Sequence, residues 1–265
     1  NVIFFKSMVN KIGLLFFLIP FLSFSQIKPK IVYTDLQRMN LKGNVKEVFE
    51  SDLKIENNQI TESKKTQFYQ FFLNGRLKSK ENFLIETVTS FNYDQKGRIT
   101  SERTNHKSEK KYNYPKDSVA ITLNKSGDYN SVTKSVFKES NEIEIYKTLD
   151  FTEFKQIYTY DSKDRIIKSL GLHYYPDKVD TIEISSTYRR KCLNPVSQAF
   201  DKPFFKNVLN KKCDIILHQA INKDGTIIRE YVYTYIYDKK KNWIERRTFL
   251  EGQHVKSTKR EIKYY

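Results

Sequence analysis

The residues best equipped for chemistry in this chain are few, and most stand alone. Cys192 and Cys213 are the only cysteines, and His106, His173, His218 and His254 the only histidines. No HExxH, no paired His spacing with Cys, no GxSxG elbow and no glycine-rich phosphate loop occurs, so no catalytic residue, metal site or cofactor is expected. Acid pairs of the glycosidase kind leave no spacing signature, but the most regularly placed acids, Asp94, Asp161 and Asp238, stand where the chain turns. What repeats at fixed spacing is aromatic. Tyr231, Tyr233, Tyr235 and Tyr237 alternate with Val232, Thr234 and Ile236, and Trp243, the single tryptophan, follows the next turn. A strand of period two puts the tyrosines on one face. That row reads as packing, the usual role of aromatic stripes at strand spacing, or as a platform for sugar rings and extended chains. Trp243 is a binding candidate and equally a packing anchor.

A repeated hairpin must position these side chains. Its copies are Tyr93-Asp94-Gln95-Lys96-Gly97-Arg98-Ile99, Tyr160-Asp161-Ser162-Lys163-Asp164-Arg165-Ile166 and Tyr237-Asp238-Lys239-Lys240-Lys241-Asn242-Trp243. An aromatic residue ends a strand, the Asp side chain accepts from a backbone N–H two residues on, and Gly97 takes positive φ before the next strand begins. Asp164 and Lys241 replace that glycine at a cost on the order of 1 kcal/mol, so the Lys241 turn should be the most strained. The Arg is expected on a solvated face. Looser relatives lie at Leu73–Leu77, Asn124–Asp128, Asn222–Thr226 and Leu250–Gln253. Tyr112–Val119 after the first unit is echoed by His173–Val179 after the second, and an ordered pair of signals points to duplication.

At these residues the chain resembles the YD-repeat (Rhs-like) family, whose repeat centres on Tyr-Asp, two variable residues, Gly-Arg and an apolar residue. The last copy is similar to a Gly-Asn-Trp variant of short secreted bacterial members of unknown function, with Lys241 for the glycine. Those proteins open with a segment similar to Leu41–Val48. The resemblance covers most of the chain beyond that opening. It implies β-hairpin architecture and supplies no catalytic residues. Long members form large β shells around a toxin cargo, and this chain is short for closing one.

The expected fold is therefore all-β: a large twisted antiparallel meander of repeated hairpins, curling into an open half-barrel, with one or two short helices. Asp35–Met39 can make one turn, capped by Thr34 or Asp35. A second helix is expected in an excursion near residues 193–212, with Pro203 close to its start and Phe204, Phe205, Val208 and Leu209 on one face. Residues 1–25, with an apolar run from Ile12 to Phe24, read as a signal peptide whose native start is Met8; residues 26–42 form a lead, and 43–265 a single β domain. No transmembrane segment is expected in the mature chain. With export, a Cys192–Cys213 disulfide is the natural pairing, and two separate buried thiols the other reading.

The net charge is +16. It suits an anionic polysaccharide or an envelope protein as partner, while export argues against nucleic acid. The same cations could simply solvate outer faces and protect edge strands. The function expected is that of an exported, non-enzymatic binding or structural protein of the cell envelope. The alternatives are a secreted glycan hydrolase using acids across a concave β face, and a carrier holding an apolar ligand between the sheet and the Pro203 helix.

Overall fold

The alternation of β-branched and aromatic residues that runs through this chain suits a pleated, half-buried surface, and the strands it produces are numerous. The computed structural model describes residues 33–265 apart from 58, 106–107, 127–128, 139–140, 148–152, 176, 190 and 201–203; the signal-peptide reading lies outside the described residues. The strands are β1 (Val45–Glu56), β2 (Gln59–Phe71), β3 (Leu77–Asn82), β4 (Thr87–Tyr93), β5 (Ile99–Thr104), β6 (Ser108–Lys116), β7 (Val119–Ser126), β8 (Tyr129–Lys138) and β9 (Asn141–Lys147). They continue as β10 (Glu153–Tyr160), β11 (Ile166–Tyr174), β12 (Val179–Tyr188), β13 (Pro195–Phe200), β14 (Phe204–Leu209), β15 (Ile215–Ile221), β16 (Ile227–Tyr237), β17 (Trp243–Leu250) and β18 (Gln253–Tyr264). One helical turn, α1 (Asp35–Arg38), precedes them.

Every strand pairs antiparallel with its successor, as the meander expectation requires. The ends go further than the expected open half-barrel. β1 also pairs with β18, from Val45 opposite Tyr264 to Lys54 opposite Lys256, so the 18-stranded ladder returns to its first strand. Both strands are long, and closure pairs two edges that would otherwise expose unpaired backbone N–H and C=O groups.

The second helix is a correction. Residues 195–200 and 204–209 are strands, and Val208 is exposed while Leu209 is buried, a two-residue rather than a helical period. Phe204, Phe205, Val208 and Leu209 satisfy the helical spacing, but β15 offers Phe204–Leu209 a full antiparallel partner. Tertiary pairing overrides the local pattern. The apolar carrier reading loses the helix that was to wall its cavity.

Connections from even to odd strands, including all three Tyr-Asp units, lie at one end, here the base; the odd-to-even connections form the mouth. Residues 33–42 lie across the base. Leu36 N–H donates to Gly75 O at 3.1 Å, the Tyr33 hydroxyl to Lys163 O at 2.7 Å, and Asn40 Nδ2 to Lys212 O at 2.8 Å. Those acceptors belong to the β2–β3, β10–β11 and β14–β15 turns, which are spread around the ring, so the lead closes the base as a plug. Thr34 and Gln37 form a reciprocal capping box on α1. Leu36 and Leu41 pack with Val45, Val48 and Phe71 into the buried core of this end. The face that meets the plug is the inner wall. Alternate residues such as Val232, Thr234 and Ile236 point outward and are exposed.

Candidate functional site: the base turns and the inner wall

Each Tyr-Asp unit is a five-residue turn closed by two backbone hydrogen bonds. Asp94 N–H donates to Arg98 O and Gly97 N–H to Asp94 O, and the pattern recurs at 161–165 and 238–242. Gly97 (φ +75), Asp164 (φ +57) and Lys241 (φ +68) all adopt the left-handed conformation, as the spacing predicts. The Asp carboxylates are consumed inside the turns. Asp161 Oδ1 accepts from the N–H groups of Lys163 at 2.9 Å and Arg165 at 3.0 Å, and Asp94 Oδ1 from Arg98 N–H at 2.8 Å. Partial burial raises the pKa of these acids, but the turn and Arg hydrogen bonds outweigh it and hold both below the usual carboxylate range.

The repeat arginine is not on a solvated face, which corrects the sequence expectation. Arg165 grips Asp161 at 2.6 Å, donates to Arg189 O and Cys192 O in the next base turn at 2.9 and 3.0 Å, and stacks 4.7 Å from the Tyr188 ring. Arg98 does the same with Asp94, Asp117 and the Tyr114 ring. The stacked tyrosine then donates to the carbonyl of the residue after the arginine: Tyr188 to Ile166 O, Tyr114 to Ile99 O, Tyr93 to Leu77 O. Each repeat is thus latched to the next around the base.

Sequence reading missed a further copy. Asn210-Lys211-Lys212-Cys213-Asp214 makes the same turn, with Asn210 N–H donating to Asp214 O, Cys213 N–H to Asn210 O, and Cys213 at φ +70 in the glycine position. Asn, Cys and Asp stand where Asp, Gly and Arg would announce it; the Lys-Lys pair between turn-formers was the surviving signal. Cys213 is disulfide-bonded to Cys192, with a Cα–Cα distance of 5.3 Å, joining the β12–β13 and β14–β15 turns.

The tyrosine row of β16 faces inward. Tyr235 donates to Ile215 O at 2.6 Å and Tyr237 to Asp214 Oδ2 at 2.8 Å. Lys212 sits 3.1 Å from the Tyr237 ring centroid, Arg260 3.4 Å from that of Trp243, and Arg246 5.6 Å from that of Tyr233, while Tyr231 stacks between His218 and Tyr233. A sugar platform needs an open ring face, and the neighbouring cations and rings around this row support the packing reading. His218 Nδ1 lies 2.7 Å from Asn207 Oδ1, and burial lowers its pKa.

These latches make stability sensitive to alkali. Burial pushes the Tyr188 phenol up to about 12, and burial with the Asp238 hydrogen bond takes Tyr264 to about 12 as well. An unfolded tyrosine ionises near pH ~10, so their contribution is complete below that pH and is lost as pH rises through about 12. Tyrosinate absorbance should rise together with loss of the sheet signal; full phenol ionisation near pH ~10 with the sheet intact would contradict the latches.

Two carboxylates of the inner wall are committed to cations. Glu50 pairs with Arg260 at 2.7 Å and Asp52 with Lys256 at 2.6 Å. Among the described residues, no group of three or more His, Cys, Asp or Glu is placed to hold a metal ion.

The base itself is cationic for a reason built into the repeat. The repeat Asp is engaged by its own turn, while Lys191, Lys211, Lys239, Lys240, Lys241 and Lys42 of the lead are exposed at this end; Lys163 and Lys212 are half-buried, and Lys96 pairs with the exposed Asp117 of the β6–β7 turn. Asp238 and Asp214 are not exposed and instead accept from Tyr264 and Tyr237.

No family model matches this chain, and no curated protein does. Among solved structures it is similar to a porin-like protein from Bacteroides uniformis ATCC 8492, at 10% identity and a TM-score of 0.45, over 84% of this chain and 98% of that one.

Proposed function

We propose that this chain is an exported, non-enzymatic binding protein of the cell envelope, a YD-repeat-like barrel that takes an anionic glycan against its lysine-rich base. The supporting observation is the sorting of charge around the later base turns, where Asp214 and Asp238 are covered and Lys191, Lys211, Lys239, Lys240 and Lys241 are exposed. Edge protection, the alternative use for such lysines, has no role at a base made of turns in a ring without edge strands. No helix among the described residues is long and apolar enough to cross a membrane. The outer wall carries exposed Lys111, Lys134, Lys206, Arg247 and Lys259 within its strands. A lipid-facing barrel wall excludes such residues at roughly 2–4 kcal/mol each near the bilayer midplane, so the outer wall suits water.

The test is retention of the purified protein on an immobilised anionic polysaccharide across a salt gradient. Retention should fall steeply with salt. Reversing Lys211, Lys239 and Lys241 to Glu should weaken binding about a hundredfold, at roughly 1 kcal/mol per cation near an anionic surface. Salt-insensitive retention, or none, would remove the reading.

A further inference from the structure

No strand of the closed ring is an edge along its whole length, but the strands differ in reach, and β2 outruns β3. The two pair from Phe71 opposite Leu77 to Gln67 opposite Asn82, where β3 ends. One more contact follows on that side, Phe83 N–H donating to Thr66 O at 3.1 Å, and the chain then turns through Leu84 and Ile85 into β4. β2 continues past that turn towards the mouth, paired with β1 on its other side up to Glu56 opposite Gln59. Every residue from Gln59 to Lys65 is exposed. Among the described residues no strand pairs with this stretch on the β3 side, so a line of backbone N–H and C=O groups stands open there.

The side chains around this edge set what it accepts. Ile60 is 61% exposed, and Leu84 and Ile85, at the foot of the open stretch, are 50% and 57% exposed. The charge along the edge is cationic. Glu62 lies opposite Lys54, whereas Lys64 lies opposite Asp52, whose carboxylate Lys256 already holds at 2.6 Å. Lys65 sits 5.4 Å from the Phe49 ring centroid. Lysines beside an open edge guard against pairing with an identical edge, because a second copy adds its own Lys64 and Lys65 to the same place. They do not guard against a strand that carries acids, for which the same positions are attractive.

We infer that the mouth half of β2 is a docking edge for an extended acidic peptide segment of a partner protein, which adds as a strand beside Ile60–Lys65 with its carboxylates towards Lys64 and Lys65. Main-chain hydrogen bonds to the open edge hold such a strand, and its side chains decide whether it fits. β3 shows the geometry, since it pairs antiparallel with the lower half of the same edge and ends where the peptide begins. A peptide running in the direction of β3 meets Leu84 and Ile85 with its first residues and Ile60 with its last. The edge lies at the mouth and does not depend on the base lysines.

The full chain is titrated with a peptide of repeating Glu-Glu-Val long enough to span Gln59–Lys65, and hydrogen exchange of the Ile60–Lys65 amides is followed. Saturable binding with slowed exchange at that stretch is expected. Lys64→Glu with Lys65→Glu should weaken binding about tenfold, since two attractive cross-strand pairs turn repulsive. Both lysines are exposed, so this variant should keep the parent Tm. The same peptide with its backbone amides N-methylated should not bind, while reversal of Lys211, Lys239 and Lys241 should leave binding unchanged. Loss of glycan retention with peptide binding intact would overturn only the base reading. The docking edge is overturned by no saturable binding, by unchanged exchange at Ile60–Lys65, or by equal binding of the N-methylated peptide or of a Lys-Lys-Val counterpart. Self-association of the peptide-free protein that protects the same amides would assign the edge to a second copy and overturn it as well.

Discussion

Replacing Asn242 by alanine is expected to lower the unfolding free energy by about 3 kcal/mol, because one buried amide fastens the plug, the last strand and a base turn together. Asn242 is 1% exposed. Its Oδ1 accepts from Lys42 N–H at 2.7 Å, and its Nδ2 donates to Lys42 O at 2.9 Å and to the Tyr264 hydroxyl at 2.7 Å. A side-chain amide carries a donor and an acceptor as a peptide does, so Asn242 pairs with Lys42 as a strand residue would. Alanine leaves the two Lys42 backbone groups and the Tyr264 hydroxyl without this partner in a partly buried setting, and an unmet buried polar group costs about 1–3 kcal/mol. Urea denaturation at constant m-value measures the change. A loss below about 1 kcal/mol would mean that the lead is held chiefly by Leu36 and Leu41. This also explains why the last repeat carries Asn where the first two carry Arg: its latch must hold the lead as well as Tyr264.

The second large effect is at the disulfide. Cys192→Ser with Cys213→Ser should cost about 3 kcal/mol, the entropy of a loop of this length released in the unfolded chain; the bonded residues are 21 apart in sequence. Position 213 has φ +70, the conformation that Gly97 adopts at the equivalent place in its own turn. Cys192→Ser with Cys213→Gly should therefore recover about 1 kcal/mol of that loss, since glycine meets no Cβ clash there. Thermal and urea unfolding of the two double variants against the oxidised parent measure both quantities. Equal stability of the two variants would show that the turn is unstrained at Cys213, and an unchanged midpoint in both would show that the bond does not constrain the unfolded chain.

The hairpin architecture was legible because its signals are local. Alternation in Tyr231–Tyr237, Asp at the turn entry and Gly97 at positive φ each specify geometry over a few residues, and the meander follows from repeating them. The Asn210–Asp214 turn escaped because every diagnostic residue had been exchanged for one that still fits the backbone. The misplaced helix at Phe204–Leu209 shows the opposite case: an apolar spacing that suits a helix is also met by a strand once neighbours on both sides supply hydrogen bonds.

The functional residues were less legible, since a tyrosine or arginine side chain acts here across repeats. Tyr188 meets Arg165 and Ile166 from the preceding unit, and nothing near residue 188 in sequence announces that contact. The sequence by itself determined most of the strands and the turns and positive φ positions of the three Tyr-Asp units, because those depend on steric and hydrogen-bonding preferences within a few residues. Only the tertiary structure decided that β1 meets β18, that the tyrosines face inward, and that the lead closes the base. Those outcomes depend on which strand ends meet when the ring closes, a condition on the whole chain that no local stretch encodes.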